Sequence, residues 1–483
     1  MKRKSGVLMH VSSLPGEYSI GSFGDEALAF IDKLCEGGFS VWQVLPFCMT
    51  DECNSPYKSY SAFGANPYFI DLPTLYKKGY ITKEELNQAR QNTPYLTEYK
   101  RLSEERIDLL RLAAKRASED KEAVKSINDF LSDKEELRSA AEFLSLREAN
   151  ENSPWQKWTV YTPDENAIFF WRFVQYEFFT EWQKIKEYAN EKGIEIIGDV
   201  PIYVALDSAD VWAHPEQFKL DKDNIPTAVA GVPPDYFSED GQLWNNPLYD
   251  WGRMKKDGFS WWRRRIEHML TLFDGVRIDH FRGIEAYWSI PAGAKSAKEG
   301  KWVKGPGRAF VNMVKEVAKD KLIIAEDLGD ITDGVRALLD YSGFPGMRVM
   351  QFAFLGDEKT PHLPHNYTEN SVAYTGTHDN NTLLGYIWEM SADMRSLAFD
   401  YCGYYGEDFN KGEEALLRTV MRSSAAMAIF PIQDLLCFGA DTRMNTPGVA
   451  DGNWAYRVTN EQLDSLDLKK FYYLNRLYGR VQI

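Results

Sequence analysis

Strand-like apolar segments recur along this 483-residue chain, with helical stretches between them. This alternation predicts strand–helix units and a parallel sheet, because parallel strands need long crossover connections. Eight such segments are present, which is the number of strands in a closed (β/α)8 TIM barrel. They lie near residues 6–11, 40–46, 194–200, 275–280, 322–326, 347–352, 371–376 and 434–438. We therefore predict an α/β fold, with residues 1–483 forming a single barrel.

Two segments interrupt this alternation and are predicted to be insertions around the C-terminal mouth of the barrel. The first, residues 73–160, includes a stretch rich in Lys, Glu, Ala and Leu that predicts a helical subdomain of two or three amphipathic helices. The second, residues 205–258, is rich in Pro, Gly, Asp and aromatic residues and predicts an irregular lobe. In the helix before the third strand, five apolar residues share one stripe that is predicted to face the barrel: Phe170, Phe173, Val174, Phe178 and Trp182.

Three of the predicted strands lead into a carboxylate, at Asp279, Glu326 and Asp379. The strands of a parallel barrel end at one mouth, so these side chains are predicted to converge there. Two or three carboxylates with an Arg and a His are typical of sites that cleave glycosidic bonds. The structural alternative is that each carboxylate caps a helix or forms an ion pair. Three such segments in succession favour the functional interpretation.

The residues around these carboxylates indicate different roles for them. Side chains alternate along a strand, so Arg277 and Asp279 face the same side, and the cation favours the charged carboxylate that a nucleophile needs. Glu326 follows four apolar residues, and desolvation there should raise its pKa toward that of a general acid. His378 and Asp379 are adjacent and are predicted to hold sugar hydroxyls and to stabilise positive charge on the ring.

Composition excludes several other classes of function. The chain has 56 Lys and Arg against 71 Asp and Glu, a net charge of −15, and no basic run that predicts nucleic-acid binding. Its five Cys lack a paired CxxC spacing, which argues against a zinc site or a disulfide framework. No apolar stretch approaches the roughly 20 residues of a membrane helix. The N-terminal residues lack the apolar core of a signal peptide, so a cytoplasmic location is predicted.

Several longer motifs resemble those of the amylomaltases, which are 4-alpha-glucanotransferases, or disproportionating enzymes, of the alpha-amylase clan. The resemblance covers nearly the whole chain, and its most diagnostic stretches are Gly231–Ser238 and Arg443–Gly448. The other matching segments are residues 5–16, 20–24, 42–46, 55–63, 198–205, 207–212 and 433–436. One departure is Asn245, which stands where the family usually has Gly within a Trp-Gly-Asn-Pro sequence. Asn tolerates the left-handed conformation better than most residues and can replace Gly there.

The resemblance implies a role for each matching residue. It makes Asp279 the nucleophile, Glu326 the general acid/base and Asp379 the third acid, which stabilises the transition state. The implied substrate-binding residues are Arg277, His378, Tyr57, Tyr236, Phe237, Trp244 and Asn380. The loop that carries Tyr236 and Phe237 is expected to be an active-site lid that shields the intermediate and presents both rings to an acceptor sugar. Asp199 is expected to support loop structure, and the side chain of His280 is either structural or functional.

The resemblance also implies the reaction. A segment of a 1,4-alpha-glucan is transferred to the 4-hydroxyl of glucose or another 1,4-alpha-glucan by a retaining double displacement. The expected substrates are maltooligosaccharides and linear 1,4-alpha-glucans with glucose or maltose as acceptors, without a metal, a cofactor, nucleic acid or a membrane. The protein is expected to be a monomer or a homodimer. Two alternatives stay open at this point: a retaining alpha-amylase-like hydrolase, and a non-catalytic glucan-binding protein.

Overall fold

The computed structural model describes residues 2–50, 53–234 and 239–481 of the chain. The β-strands in these ranges, in chain order, are β1 (Lys4–Leu8), β2 (Val41–Gln43), β3 (Glu195–Val200), β4 (Ala228–Val232), β5 (Gln242–Pro247), β6 (Gly275–Ile278), β7 (Ala286–Pro291), β8 (Lys301–Lys304), β9 (Leu322–Ala325), β10 (Gly346–Val349), β11 (Ser371–Tyr374) and β12 (Met427–Pro431). Eight of them close into a parallel barrel in the order β1-β12-β11-β10-β9-β6-β3-β2. The predicted TIM barrel is therefore confirmed.

The helices surround this barrel or fill its long connections. In the first half of the chain they are α1 (Asp25–Glu36), α2 (Leu72–Lys77), α3 (Lys83–Gln88), α4 (Tyr99–Arg101), α5 (Ile107–Ser118), α6 (Lys121–Leu131), α7 (Glu135–Ala149), α8 (Glu165–Glu191) and α9 (Ala209–Ala213). In the second half they are α10 (Trp251–Lys256), α11 (Ser260–Leu272), α12 (Arg282–Glu285), α13 (Arg308–Ala318), α14 (Asp333–Ser342), α15 (Leu383–Glu389), α16 (Ala392–Cys402), α17 (Phe409–Arg422), α18 (Ile432–Leu435), α19 (Asn460–Asp464) and α20 (Leu468–Leu477). Across the described residues, none of these helices has both the length and the apolar character needed to cross a membrane.

The last barrel strand differs from the prediction. The segment predicted as the eighth strand, residues 434–438, begins inside the short helix α18, whereas the strand itself is β12. All five residues of β12 are apolar and buried, as expected of a parallel strand covered on both faces. A short apolar run of this kind has no alternation that distinguishes a strand from a buried helix, so periodicity assigned the strand to the wrong run.

The long helix α8 provides much of the core between the barrel and its outer helices. All five residues of its predicted stripe are at most 2% exposed, which confirms the predicted core position. Trp182 packs against Phe47 with ring centroids 4.6 Å apart, and its indole N–H donates to the carbonyl of Leu272 at 2.9 Å. This packing anchors α8 against the end of α11, which leads into β6 and the first predicted carboxylate.

Two long connections add structure beyond the barrel. Between β2 and β3 the chain forms α2 to α8, with α5, α6 and α7 in the stretch predicted to hold two or three amphipathic helices. Between β3 and β6 it forms β4 and β5, which join β7 and β8 in an antiparallel sheet of order β5-β4-β7-β8. This sheet lies in the connections that follow the carboxyl ends of β3 and β6, the end of a barrel where sites form.

Candidate active site

Neighbouring strands carry two of the predicted catalytic carboxylates. β6 and β9 are paired in parallel, with Ile278 opposite Ala325, and Asp279 and Glu326 are the residues that follow this pair. The main-chain N–H of Glu326 donates to the carbonyl of Ile278 at 3.1 Å, which continues the ladder past the strand ends. The two side chains are thereby held side by side at the carboxyl end of the barrel.

Arg277 joins two acidic residues beneath this mouth. Its guanidinium donates to both carboxylate oxygens of Asp199 at 2.8 and 2.7 Å and to Asp279 Oδ1 at 2.8 Å. Arg277 is 4% exposed and Asp199 is fully buried. Burial opposes the charge on Arg277, but the two carboxylates outweigh it and raise its pKa. The cation therefore stays charged and fixes the orientation of Asp279.

Glu326 occupies the environment of an acid that keeps its proton. It is 7% exposed, and burial together with the negative charge of Asp279 raises its pKa to about 8. Its Oε2 accepts from the main-chain N–H of His280 at 2.7 Å, and its Oε1 accepts from that of Leu328 at 2.7 Å. Both hydrogen bonds favour the charged form, and desolvation outweighs them. The predicted rise in the pKa of Glu326 is confirmed.

Asp379 lies in the loop after β11, where other side chains position it. Its Oδ1 accepts from the Asn445 amide at 2.6 Å, its Oδ2 lies 3.3 Å from Nε2 of His378, and its carbonyl accepts from Arg443 at 2.7 Å. Partial desolvation alone would raise its pKa, but the charge and hydrogen bond of His378 hold the pKa below its ordinary value. Burial by itself would lower the pKa of His378, but the charge and hydrogen bond of Asp379 outweigh burial and raise this pKa. With half of the Asp379 side chain exposed, the ionised carboxylate remains accessible to a ligand.

Tyr57 connects this loop to the buried ion pair. Its hydroxyl donates to Asp199 Oδ2 at 2.7 Å and lies 3.3 Å from Nδ1 of His378. Its ring stacks on that imidazole, with centroids 4.8 Å apart and an angle of 20° between the planes. Asp199 thus accepts from both Tyr57 and Arg277, so one buried carboxylate orders two of the predicted substrate-binding residues.

The remaining predicted binding residues have different surroundings. Trp244 is half-buried, and its ring stands edge-on to His280 with centroids 5.1 Å apart. Asn380 accepts through Oδ1 from the main-chain N–H and the hydroxyl of Thr377, both at 2.9 Å, so this oxygen shapes the loop. Tyr236 and Phe237 lie outside the described residues, and their contact with an acceptor stays a prediction. Within the described ranges, no group of three or more His, Cys, Asp and Glu side chains is arranged to hold a metal ion.

Asp434 is a positioning residue that the sequence did not identify. It is 2% exposed, and it accepts from the hydroxyl of Thr375 at 2.5 Å and from the main-chain N–H of Leu383 at 2.8 Å. These two partners lie at the two ends of the loop that carries His378 and Asp379. Asp434 therefore closes this loop at its base.

Sequence signals for the other positioning residues were weak or absent. Asp199 is a charged residue within the buried strand β3, and this conflict between charge and burial indicates a partner. Asn445 and Arg443 belong to a motif that matched the family, but nothing in their spacing indicated that they contact Asp379. Only the folded chain brings them to this loop.

Comparison with known proteins gives a consistent result. A profile of the family described as 4-alpha-glucanotransferase matches residues 9–463. The 4-alpha-glucanotransferase of Clostridium butyricum is 41% identical over 493 residues, covering 98% of this chain and 100% of that protein. The corresponding protein of Thermus thermophilus is 43% identical over 482 residues, covering 96% of each chain.

Solved structures agree with this assignment. The amylomaltase from Streptococcus agalactiae, solved in complex with acarbose, is 39% identical, with a TM-score of 0.95 and full coverage of both chains. The amylomaltase from Corynebacterium glutamicum has a TM-score of 0.82 at 18% identity, covers 99% of this chain and 75% of that one, and supports the fold alone. The matched length, the identities and the shared fold together show that this chain belongs to the 4-alpha-glucanotransferase family.

Proposed function

We propose that this protein transfers a segment of a linear 1,4-alpha-glucan to the 4-hydroxyl of glucose or of another 1,4-alpha-glucan. The observation that carries the proposal is the pair formed by Asp279 and Glu326 on adjacent strands. Arg277 holds the first carboxylate, while burial raises the pKa of the second to about 8. A carboxylate bound by an Arg beside a carboxyl group that keeps its proton has the properties of a nucleophile and an acid.

The first half-reaction uses both of these carboxyl groups. Glu326 protonates the glycosidic oxygen as the bond breaks, and Asp279 attacks the anomeric carbon to form a covalent glycosyl-enzyme. The leaving segment departs with its new 4-hydroxyl. Asp379 and His378 are proposed to bind hydroxyls of the donor sugar, where the negative charge of Asp379 stabilises the oxocarbenium-like transition state.

The second half-reaction reverses the role of Glu326. As a carboxylate it removes the proton from the 4-hydroxyl of an incoming sugar, which attacks the anomeric carbon and releases Asp279. Two inversions retain the alpha configuration. This scheme predicts carboxyl groups about 5–5.5 Å apart, the separation of retaining enzymes. These steps require no cofactor, and none is proposed.

The family favours transfer over the two alternatives, hydrolysis and binding alone. A binding protein has no need of a carboxyl group with a raised pKa beside an Arg-bound carboxylate. The glycosyl-enzyme must react with a sugar hydroxyl in preference to water. To explain this preference we retain the prediction that the segment Gly231–Ser238 shields the intermediate and that Tyr236 and Phe237 bind the acceptor sugar. The loop's role as a lid, the 73–160 and 205–258 insertion boundaries, a cytoplasmic location and a monomeric or homodimeric state also remain predictions.

Incubation with maltotriose tests the proposed activity. Transfer produces glucose together with a ladder of longer chains. Glucose and maltose without longer products would indicate hydrolysis, and unchanged maltotriose would indicate binding alone. The Asp279→Asn variant, purified in the same way, is the matched control, and the longer chains should be absent from its reaction.

A further inference from the structure

Trp388 is an unusually exposed aromatic residue on α15. The chain has 14 Trp residues, and within the described ranges Trp388 is the single one whose side chain is mostly exposed, at 67%. On the same helix Leu383 and Ile387 are fully buried, so α15 packs normally against the core through its other face. An indole that the fold leaves in water is available to a ligand.

The exposed ring is held in place from one side. Phe409, at the start of α17, stands edge-on to Trp388 with ring centroids 4.6 Å apart and an angle of 65°. The guanidinium of Arg395 lies over the Phe409 ring, 4.5 Å from its centroid, and donates to the carbonyl of Met390 at 3.2 Å. This support restricts the indole, so less conformational entropy is lost when a ligand stacks on it.

The position of Trp388 is tied to the catalytic loop. Its neighbour Glu389 accepts a hydrogen bond from the Asn381 amide at 2.7 Å, and Asn381 lies two residues after Asp379. The other end of α15 is capped by Thr382, whose hydroxyl accepts from the main-chain N–H of Gly385 at 3.1 Å. Both ends of this short helix are therefore hydrogen-bonded to the segment that follows Asp379, which places α15 beside the catalytic loop.

We infer that Trp388 is a stacking platform for an outlying glucosyl unit of a long 1,4-alpha-glucan whose reacting bond lies at Asp279 and Glu326. The inference rests on the proposed function and adds a preference for substrate length. A pyranose presents a flat face of C–H groups that covers an indole, and its rim of hydroxyls stays in water. The nearby charges of Arg395 and Glu389 already have partners within the protein, so a neutral ligand fits this surface.

The test separates binding from turnover. Migration of the Asp279→Asn variant through gels with and without amylose measures binding without catalysis. Adding Trp388→Ala to this variant should weaken its retention by amylose and raise the apparent dissociation constant about five- to tenfold. A tenfold rise corresponds to a loss of about 1.4 kcal/mol of binding free energy. With Asp279 intact, Trp388→Ala should raise the KM for amylose by a similar factor. It should leave turnover of maltotriose unchanged, because the platform is inferred to bind a glucosyl unit beyond those that this short donor provides.

Two further variants are the controls. Trp388→Phe keeps an aromatic face and should recover most of the retention. Tyr161→Ala removes another aromatic side chain, 71% exposed, and should change neither measurement. Unchanged retention of Trp388→Ala by amylose overturns the inference. A variant with unchanged retention but an altered sedimentation coefficient would show instead that this surface makes contact between copies of the protein. Failure of the parent enzyme to elongate maltotriose would refute the proposed function. Retention by amylose measures binding without turnover, so it tests the role of Trp388 separately from the proposed activity.

Discussion

The main-chain N–H of His280 donates a hydrogen bond of 2.7 Å to Glu326 Oε2, so the residue after Asp279 also holds the proposed acid. His280 adopts a left-handed backbone conformation with φ of 50°, and in this turn its N–H is directed at Glu326. Its imidazole is buried, and burial lowers its pKa to about 4, so the ring is neutral near pH 7. The segment that carries the nucleophile Asp279 is thus hydrogen-bonded directly to the acid Glu326.

The first prediction concerns Asp279→Asn, which should abolish turnover without unfolding the protein. The Asn side chain keeps an oxygen that can accept from Arg277 but cannot attack the anomeric carbon. Disproportionation of maltotriose should fall by roughly 10⁴-fold or more. Chromatography of the products measures this loss, and circular dichroism verifies the fold. A variant that retained a tenth of the wild-type rate would refute the role of Asp279.

The second prediction concerns Glu326→Gln, which should stop turnover of natural glucans, with a loss on the order of 10²–10⁴-fold. Donors with good leaving groups, such as alpha-maltosyl fluoride, need less acid assistance and should still glycosylate the variant. Mass spectrometry should then find the sugar on Asp279, and a label on Asp379 would reverse the proposed roles. Because both oxygens of Glu326 accept main-chain N–H groups, Gln leaves one donor unpaired, and thermal unfolding should be measured in parallel.

The third prediction is the pH dependence of the wild-type reaction. A raised pKa means that Glu326 keeps its proton at neutral pH and loses it as the pH rises through about 8. The kcat/KM for maltotriose should therefore fall on the alkaline side with an apparent pKa near this value. The same limb should be absent when Glu326→Gln is assayed with alpha-maltosyl fluoride. A profile in which wild-type activity stays flat well above this pH would contradict the assignment of Glu326 as the acid.

The fourth prediction separates the two contributions of Tyr57. Tyr57→Phe removes the hydroxyl that donates to Asp199 but keeps the ring that stacks on His378. The lost hydrogen bond is to a charged group and is worth about 1.5–3 kcal/mol, which should appear mainly in stability against urea. Tyr57→Ala also removes the ring and should raise the KM for maltotriose further. Equal KM values for the two variants would show that the ring does not contact the sugar.

The fifth prediction concerns Asp434 as a positioning residue for the catalytic loop. Asp434→Ala leaves the hydroxyl of Thr375 and the N–H of Leu383 without their acceptor, at a cost of about 1–3 kcal/mol for each buried group. The kcat/KM for maltotriose should fall because Asp379 is displaced. The alkaline pKa of the reaction should stay unchanged, because Glu326 lies on another strand.

Thr375 offers a matched pair of variants for the same relationship. Thr375→Ser keeps the hydroxyl and should preserve the kcat/KM for maltotriose, whereas Thr375→Val removes the hydroxyl at nearly constant volume and should lower the kcat/KM. Loss of stability in Thr375→Val with an unchanged kcat/KM for maltotriose would show that Asp434 supports the fold without positioning Asp379.

Local sequence patterns determined the barrel and most of the chemistry of the site. Apolar runs that end at a carboxylate predicted Asp279 and Glu326 at one mouth, because burial and strand direction are both encoded in short segments. The same patterns predicted the raised pKa of Glu326. They failed at β12, since a fully apolar run contains no periodicity from which to choose between neighbouring segments.

Tertiary structure alone decided how these groups are held. Asp199 pairs with Arg277 across two strands separated by dozens of residues, and Asp434 reaches Thr375 and Leu383 from α18, the short helix that follows β12. Asn445 reaches Asp379 from still further along the chain. Closure of the barrel creates these contacts by bringing distant strand ends to one place. Local propensity and alternation report which residues are buried, but they carry no information about which buried polar groups meet.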